Sequence, residues 1–289
     1  MRYAFFPGCL VQTEQYGYEL SVREVMSRLG AELVDLEGAS CCGYPSYSIT
    51  SPLMWTYLTA RNTALAERQG LDILTICNNC NLSFCENREK LEKDGVIRDT
   101  INQALSQEGL EYRGDGKVVH MLELLHDEIG LEEIAGKIVK PLNSLRLAAH
   151  PGCHSFRPSK IKRPDYAEVP GKLDELIRAL GAESHDYPEK LNCCGSLISG
   201  AVKEAALKLA SSKLRAVKER GVDGLVTLCP YCFKILDGEQ AGMRELMRDE
   251  NPGPPVFYYT QLLGLSMGLA TEKLGLNLNL SPVDGLLQI

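Results

Sequence analysis

Several absences narrow the chemistry open to this 289-residue chain. No apolar run approaches the ~18 residues that a membrane-spanning helix requires. Basic residues are in deficit, with 31 Lys+Arg against 38 Asp+Glu and a formal charge of -7, so no positive field exists to hold a nucleic-acid backbone or an anionic bilayer. Nucleic acid and membrane are therefore not expected as partners. There is no Gly-x-Gly-x-x-Gly flavin signature, no ferredoxin-type C-x2-C-x2-C-x3-C-P run and no haem-attachment motif, so electrons are expected to arrive from a separate protein. The opening Met1–Pro7 is broken by Pro7 too early to serve as a secretory core, which leads us to expect a cytoplasmic protein.

Cysteine is what the chain has in excess. Ten of its eleven cysteines write one pattern twice: a single Cys, a Cys-Cys-Gly and a Cys-x-x-Cys. Cys9, 31 residues, Cys41-Cys42-Gly43, 33 residues and Cys77-x-x-Cys80 are followed by Cys153, 39 residues, Cys193-Cys194-Gly195, 33 residues and Cys229-x-x-Cys232. Thiols stay reduced in the cytoplasm, and an odd total argues further against a disulfide framework. Five soft thiolates per half exceed what tetrahedral zinc accepts and suit iron with inorganic sulfide. Two polynuclear clusters are the expected cofactors.

The repeat extends beyond cysteine. Arg28-Leu29-Gly30-Ala31-Glu32 matches Ala179-Leu180-Gly181-Ala182-Glu183, Phe6-Pro7-Gly8-Cys9 matches His150-Pro151-Gly152-Cys153, and Val118–Leu125 resembles Val256–Leu263. Duplication explains these together and divides the chain into 1–140 and 141–289. Tyr3–Phe6, Glu32–Leu36 and Asp72–Ile76 read as strands, with Leu145–Ala149, Ser184–Tyr187 and Leu225–Leu228 as their copies. Tyr16–Leu29, Leu53–Gln69, Lys172–Leu180 and Ala201–Arg220 read as helices, with Ser51-Pro52 and Ser199 as start signals. Alternation of strand and helix predicts an α/β fold: two duplicated, pseudosymmetric, Rossmann-like domains with mostly parallel sheets. The cysteines then gather at the carboxyl edges of the sheets, where such folds bind ligands. Pro252–Pro255 reads as a linker before the last strand, and the apolar ending Leu274–Ile289 as packing on this chain or on a partner.

Outside the pattern, Cys85 reads as a packed core thiol on a helix. His120, His126 and His185 read as structural or solvent-facing. His154 stands beside Cys153 and is the one histidine placed to donate a proton or orient a sulfur ligand. Arg157, Lys160, Lys162 and Arg163 form a basic run, either a solvated loop or an anion-recognition loop. Arg157 and Lys160 are its candidate substrate-binding residues.

The two cysteine motifs closely resemble those of the B subunit of heterodisulfide reductase of methanogens, a member of the CCG-domain family, over nearly the whole chain. The resemblance implies that Cys9, Cys41, Cys42, Cys77 and Cys80 hold one noncubane [4Fe-4S] cluster and that Cys153, Cys193, Cys194, Cys229 and Cys232 hold another. It implies reduction of the coenzyme M–coenzyme B disulfide to two thiols in methanogenesis, one electron passing through each cluster, with the cluster irons carrying the chemistry. It further implies a multi-subunit heterodisulfide reductase complex in which the partners are a ferredoxin-like C subunit, a flavin-containing A subunit, and a hydrogenase or formate dehydrogenase coupled to them. Other readings of the ligand set stay open. These are an electron-transfer subunit of glycolate or lactate oxidation or of a sulfur-oxidising system, a zinc scaffold, and, less consistent with the Cys-Cys-Gly pairs, a thioredoxin-like dithiol enzyme.

Overall fold

The structure, a computed structural model, describes residues 1–248, 253–283 and 285. Pro252 of the proposed linker and the final residues of the apolar ending lie outside the described residues. Within that ending Leu274, Leu276 and Val283 are buried, whereas Leu278 and Leu280 are exposed.

Among the described residues eight strands form two four-stranded sheets. β1 (Arg2–Phe6), β2 (Glu32–Asp35), β3 (Asp72–Thr75) and β4 (Val118–His120) are ordered β2-β1-β3-β4, and β5 (Arg146–His150), β6 (Glu183–His185), β7 (Gly224–Thr227) and β8 (Val256–Tyr258) are ordered β6-β5-β7-β8. Every pairing is parallel, and the registers correspond: Phe6 faces Thr75 as His150 faces Thr227. Parallel strands need crossovers on their faces, and the inner strands accordingly carry continuous buried runs such as Tyr3-Ala4-Phe5-Phe6. The expected fold class and its internal duplication are both present.

Alternation along β1 divides its side chains between two cores. Ala4 and Phe6 join Ile73, Ala60, Ala64 and Phe84 in a core belonging to the first half. Tyr3 and Phe5 point the other way, into a core continuous with Leu147, Ala149 and Leu225 of the second half. The halves meet through the Tyr16–Arg28 and Tyr259–Ser266 helices. There the Tyr18 and Tyr258 rings stack with centroids 3.8 Å apart, Ser21 and Thr260 hydroxyls lie 2.7 Å apart, and Tyr18 donates to the Leu228 carbonyl at 3.0 Å.

Helix starts differ in detail from expectation. Ser51 supplies its carbonyl to Trp55 N–H, not a hydroxyl cap, as the helix opens at Pro52. In the second half a tight turn at Ser196–Ile198 takes up the chain, with the Ile198 carbonyl accepting from Ala201 and Val202, so the helix begins at Lys203 and not Ala201. Among the described residues no helix is long and apolar enough to cross a membrane.

Candidate cluster sites

The cysteines collect where β1, β3, β5 and β7 end. Cys9 follows β1 by way of Pro7-Gly8, and Cys77 follows β3 at the start of the Asn78–Lys93 helix. Cys153 and Cys229 repeat these positions, Cys229 opening the Pro230–Leu236 helix. The last hydroxyl of each inner strand fixes the turn, as Thr75 Oγ1 accepts from Cys77 N–H and Thr227 Oγ1 from Cys229 N–H. At Cys229 the Cys232 thiol, and after it the backbone N–H groups of Cys232 and Tyr231 at the positive end of the helix, favour thiolate.

Sulfur contacts link each five in the same order. In the first half they run Cys9–Cys41–Cys42–Cys80–Cys77, with Cys9 and Cys41 Sγ atoms 3.5 Å apart. In the second they run Cys153–Cys193–Cys194–Cys232–Cys229. All of these cysteines are free, and in both halves the Cys-x-x-Cys pair and the second cysteine of Cys-Cys-Gly are buried. Cys9 and Cys41 are exposed, as is Cys193, with Cys153 half-buried, so each quintet has a closed floor and an open edge.

Crowding makes the thiols interdependent. Hydrogen bonds from Cys42 and Cys9, with the Gly43 N–H at 3.4 Å, pull Cys41 down to about 2. Cys193 is pulled to about 2 by Cys153 and Cys194 in the same way. Donating to that thiolate pushes Cys42 and Cys194 up to about 12 and raises Cys9 and Cys153. Five sulfurs this close cannot all ionise against one another, and a cationic metal core removes that penalty.

The glycines preceding Cys9 and Cys153 admit close approach. Gly8 and Gly152 hold φ of 86° and 77°, and a Cβ on them would lie 3.0 Å from Cys80 Sγ and 2.5 Å from Asn78 Nδ2 respectively. The chemistry of the donor set and this clearance both fit an iron–sulfur core at each quintet.

The quintets are neighbours, and each half lends side chains to the other. Asn78 N–H reaches Cys229, and Asn78 Nδ2 donates to the Pro151 carbonyl at 2.9 Å. Tyr231, inside the second Cys-x-x-Cys, stands close to Cys77, Cys9, Cys80 and Cys42, while Tyr44, just after the first Cys-Cys-Gly, stands close to Cys153 and Cys193. Burial and these sulfurs raise both phenols, which stay protonated. His154 Nδ1 lies 2.7 Å from Asn79 Oδ1, and its ring meets Tyr44 edge-on at 5.3 Å. Burial, with Arg163 nearby, lowers His154 to about 4, so the ring is neutral.

Of the other sequence candidates, Arg157 donates its backbone N–H to the Cys153 carbonyl at 3.0 Å. Arg157 is exposed and stacks over Phe156 at 4.9 Å. Lys160 is exposed and lines a cavity of about 580 Å³ with Cys85, Arg88 and Glu123, a cavity lined by none of the ten motif cysteines. Within the basic run it is Arg163 that turns inward, bonding Asn81. Sequence reasoning passed over Tyr44, Tyr231, Asn78 and Asn79, although their places within or beside the cysteine motifs were a usable signal. It also passed over His150 and Lys213, both about 1% exposed, visible only by comparing the repeats.

The cysteine-rich CCG domain matches residues 3–85 and 147–237. The chain is 36% identical to the B subunit of a ferredoxin/F(420)H(2)-dependent CoB-CoM heterodisulfide reductase of Methanosarcina acetivorans, over 96% of this chain and 92% of that one. It is 33% identical to the 8-methylmenaquinol:fumarate reductase membrane anchor subunit of Wolinella succinogenes, over 96% of each. A solved structure of a hypothetical protein from Helicobacter pylori shares the fold at a TM-score of 0.78 and 18% identity, covering 98% of this chain and 52% of that one. Two matched cysteine domains, and identity sustained along nearly the whole length, make this chain a member of the CCG-domain family of heterodisulfide reductase B subunits.

Proposed function

We propose that residues 1–140 and 141–289 each hold one noncubane [4Fe-4S] cluster through their five cysteines and that together they reduce the coenzyme M–coenzyme B disulfide. The observation that carries this reading is the pair of adjacent quintets with matching open edges. The balance is one disulfide, two electrons and two protons giving two thiols. When bound, the clusters supply those electrons, one each, and an iron for each departing sulfur.

The chain's own residues bind, orient and supply protons. Tyr44 and Tyr231 are protonated phenols beside the quintets, each able to donate a hydrogen bond toward a developing thiolate. Asn79 fixes the His154 ring through Nδ1, leaving Nε2 free to hold or pass a proton. Arg157 and Lys160, exposed on the loop after Cys153, are proposed to attract an anionic disulfide by long-range charge. The electrons come from the ferredoxin-like and flavin-containing partners of a cytoplasmic complex coupled to a hydrogenase or formate dehydrogenase.

A second reading is supported by the Wolinella relative, whose name places it in a fumarate reductase: the chain is then a cluster-bearing electron carrier for another oxidoreductase. Anaerobic isolation with partner subunits separates them. Eight irons and sulfides per chain, with turnover of coenzyme M–coenzyme B disulfide and not of fumarate, lactate or glycolate, is the expected result, where ~4 irons per cluster follows from the cluster type. Full clusters without disulfide turnover would favour the carrier, and zinc without sulfide would end both readings.

A further inference from the structure

The two sites share their cysteines but not their surroundings. Gly43 packs on Trp55 and Leu58, and Gly195 packs on Ala206 and Leu209. These contacts fix the register of the helices Pro52–Arg68 and Lys203–Glu219, which also match in length at 17 residues each. In that register Asn62 of the first half falls opposite Lys213 of the second. Both are buried and both reach the loop before Cys-Cys-Gly: Asn62 bonds Ser40 through N–H and carbonyl, and Lys213 Nζ donates to the Glu189 and Lys190 carbonyls. A neutral amide in one half is thus replaced by an ammonium in the other.

Lys213 is 1% exposed and lies over the Tyr187 ring at 5.4 Å. Among the described residues it has no carboxylate within ion-pair distance; neighbouring Lys190 takes Asp174, and Glu189 acts only at longer range. The charges it faces most strongly are the sulfurs of Cys232, Cys194 and Cys193. Next to them, His150 occupies the strand position held by Phe6 in the first half. Among the described residues its two buried ring nitrogens have at most the Lys190 backbone as a weak partner, and one lies within 4.8 Å of the Cys194 and Cys232 sulfurs. A cation in a medium of low dielectric stabilises the more negative, reduced form of a cluster, and N–H donation to its sulfurs acts in the same direction.

We propose that Lys213, seconded by His150, sets the second-half cluster at a higher reduction potential than the first-half cluster, so that an incoming electron settles on the second half. This rests on the reading that each quintet holds an iron–sulfur cluster. Lys213 is a positioning residue here: it acts on the electron through the cluster and touches no substrate.

The test is an anaerobic redox titration of the complex followed by electron paramagnetic resonance, with iron and sulfide counted for each preparation. Two reduction waves are expected in the native chain. Lys213→Gln moves the higher wave to lower potential and leaves the other in place; His150→Phe moves that wave the same way by less. Asn62→Lys raises the lower wave and narrows the gap. If both waves hold still in Lys213→Gln with cluster content retained, the inference is overturned. Should that variant lose its second cluster, Asn62→Lys decides: a raised lower wave supports the inference and an unmoved one overturns it. A native chain without iron would instead remove the reading beneath it.

Discussion

Set side by side, the two cysteine quintets agree in the order of their five sulfurs and disagree in the residues just behind. Sulfur order, the glycine before the first cysteine, and the threonine that closes the Cys-x-x-Cys turn are repeated. Phe6 against His150, Asn62 against Lys213, and Asn79 against Tyr231 are not repeated. Holding a cluster is a demand of ligand number and geometry, identical for both sites, so those residues are constrained twice. On the function proposed above, potential, proton supply and substrate orientation are demands of the pair, and a pair splitting an asymmetric disulfide would gain from unequal halves.

The strongest way to break the comparison is to remove a floor ligand from one side. Cys77→Ser is expected to lose the first-half iron and Cys229→Ser the second, each leaving the other cluster in place and cutting disulfide turnover more than ~100-fold; metal analysis and steady-state rates check this, since a removed ligand leaves an open, labile core. Loss of all iron in either variant would mean that the halves load as one unit.

Acid should weaken both halves, since burial holds His120 in the first and His150 and His154 in the second neutral. His120 and Tyr258 hold corresponding positions at the ends of β4 and β8, and only the former titrates in this range. Burial, with Arg163 adding to it, lowers His120 from 6.5 to about 3. The folded chain therefore binds fewer protons than the unfolded chain between those values. Stability falls as pH drops below 6.5 toward about 3, by about 1.4 kcal/mol per pH unit from this group. His120→Asn, which keeps an acceptor for Leu122 N–H, should flatten that slope in denaturant melts across the range.

Smaller effects distinguish the two glycines. Gly152→Ala drives a Cβ into the Asn78 amide that joins the halves and should lower the melting free energy by about 1–3 kcal/mol. Gly8→Ala presses on Cys80 Sγ instead and should show mainly as a lower first-half iron content. At the interface Tyr18→Phe should cost about 1 kcal/mol, because the Leu228 carbonyl is left without its donor in a dry setting. Tyr258→Phe should cost less, since its acceptor Gln15 is half-buried and can turn to water. The smallest expected change is at the loop: Arg157→Gln or Lys160→Gln raises KM a few-fold at low salt with kcat and iron content retained, an effect that salt erases. Unchanged KM in both would remove the steering role.

Much of the fold was legible because its signals are local. The apolar runs at Tyr3–Phe6 and Asp72–Ile76 and the long stretches at Tyr16–Leu29 and Leu53–Gln69 fall within a residue or two of the observed elements. Ala201 departs from expectation because a turn and a helix start share the same polar, small residues, and only the acceptance of two N–H groups by the Ile198 carbonyl separates them. Arg157 and Lys160 could be picked as charged but not oriented. Of that loop only Arg163 turns inward, a choice made by its contact with Asn81, 82 residues away in the chain.

Covalent order alone determined that ten thiols come in two matched sets on two matched α/β units, since spacing and duplication are written in the chain and strand–helix periodicity follows from local backbone and burial preferences. Folding in three dimensions decided which side chains cross from one half to the other: Asn78 to Cys229, Tyr231 toward Cys9, Tyr44 toward Cys153. It also decided which buried groups are left charged or unpartnered beside the sulfurs. Those contacts between the halves join residues more than a hundred positions apart, and nothing short of packing one half against the other determines them.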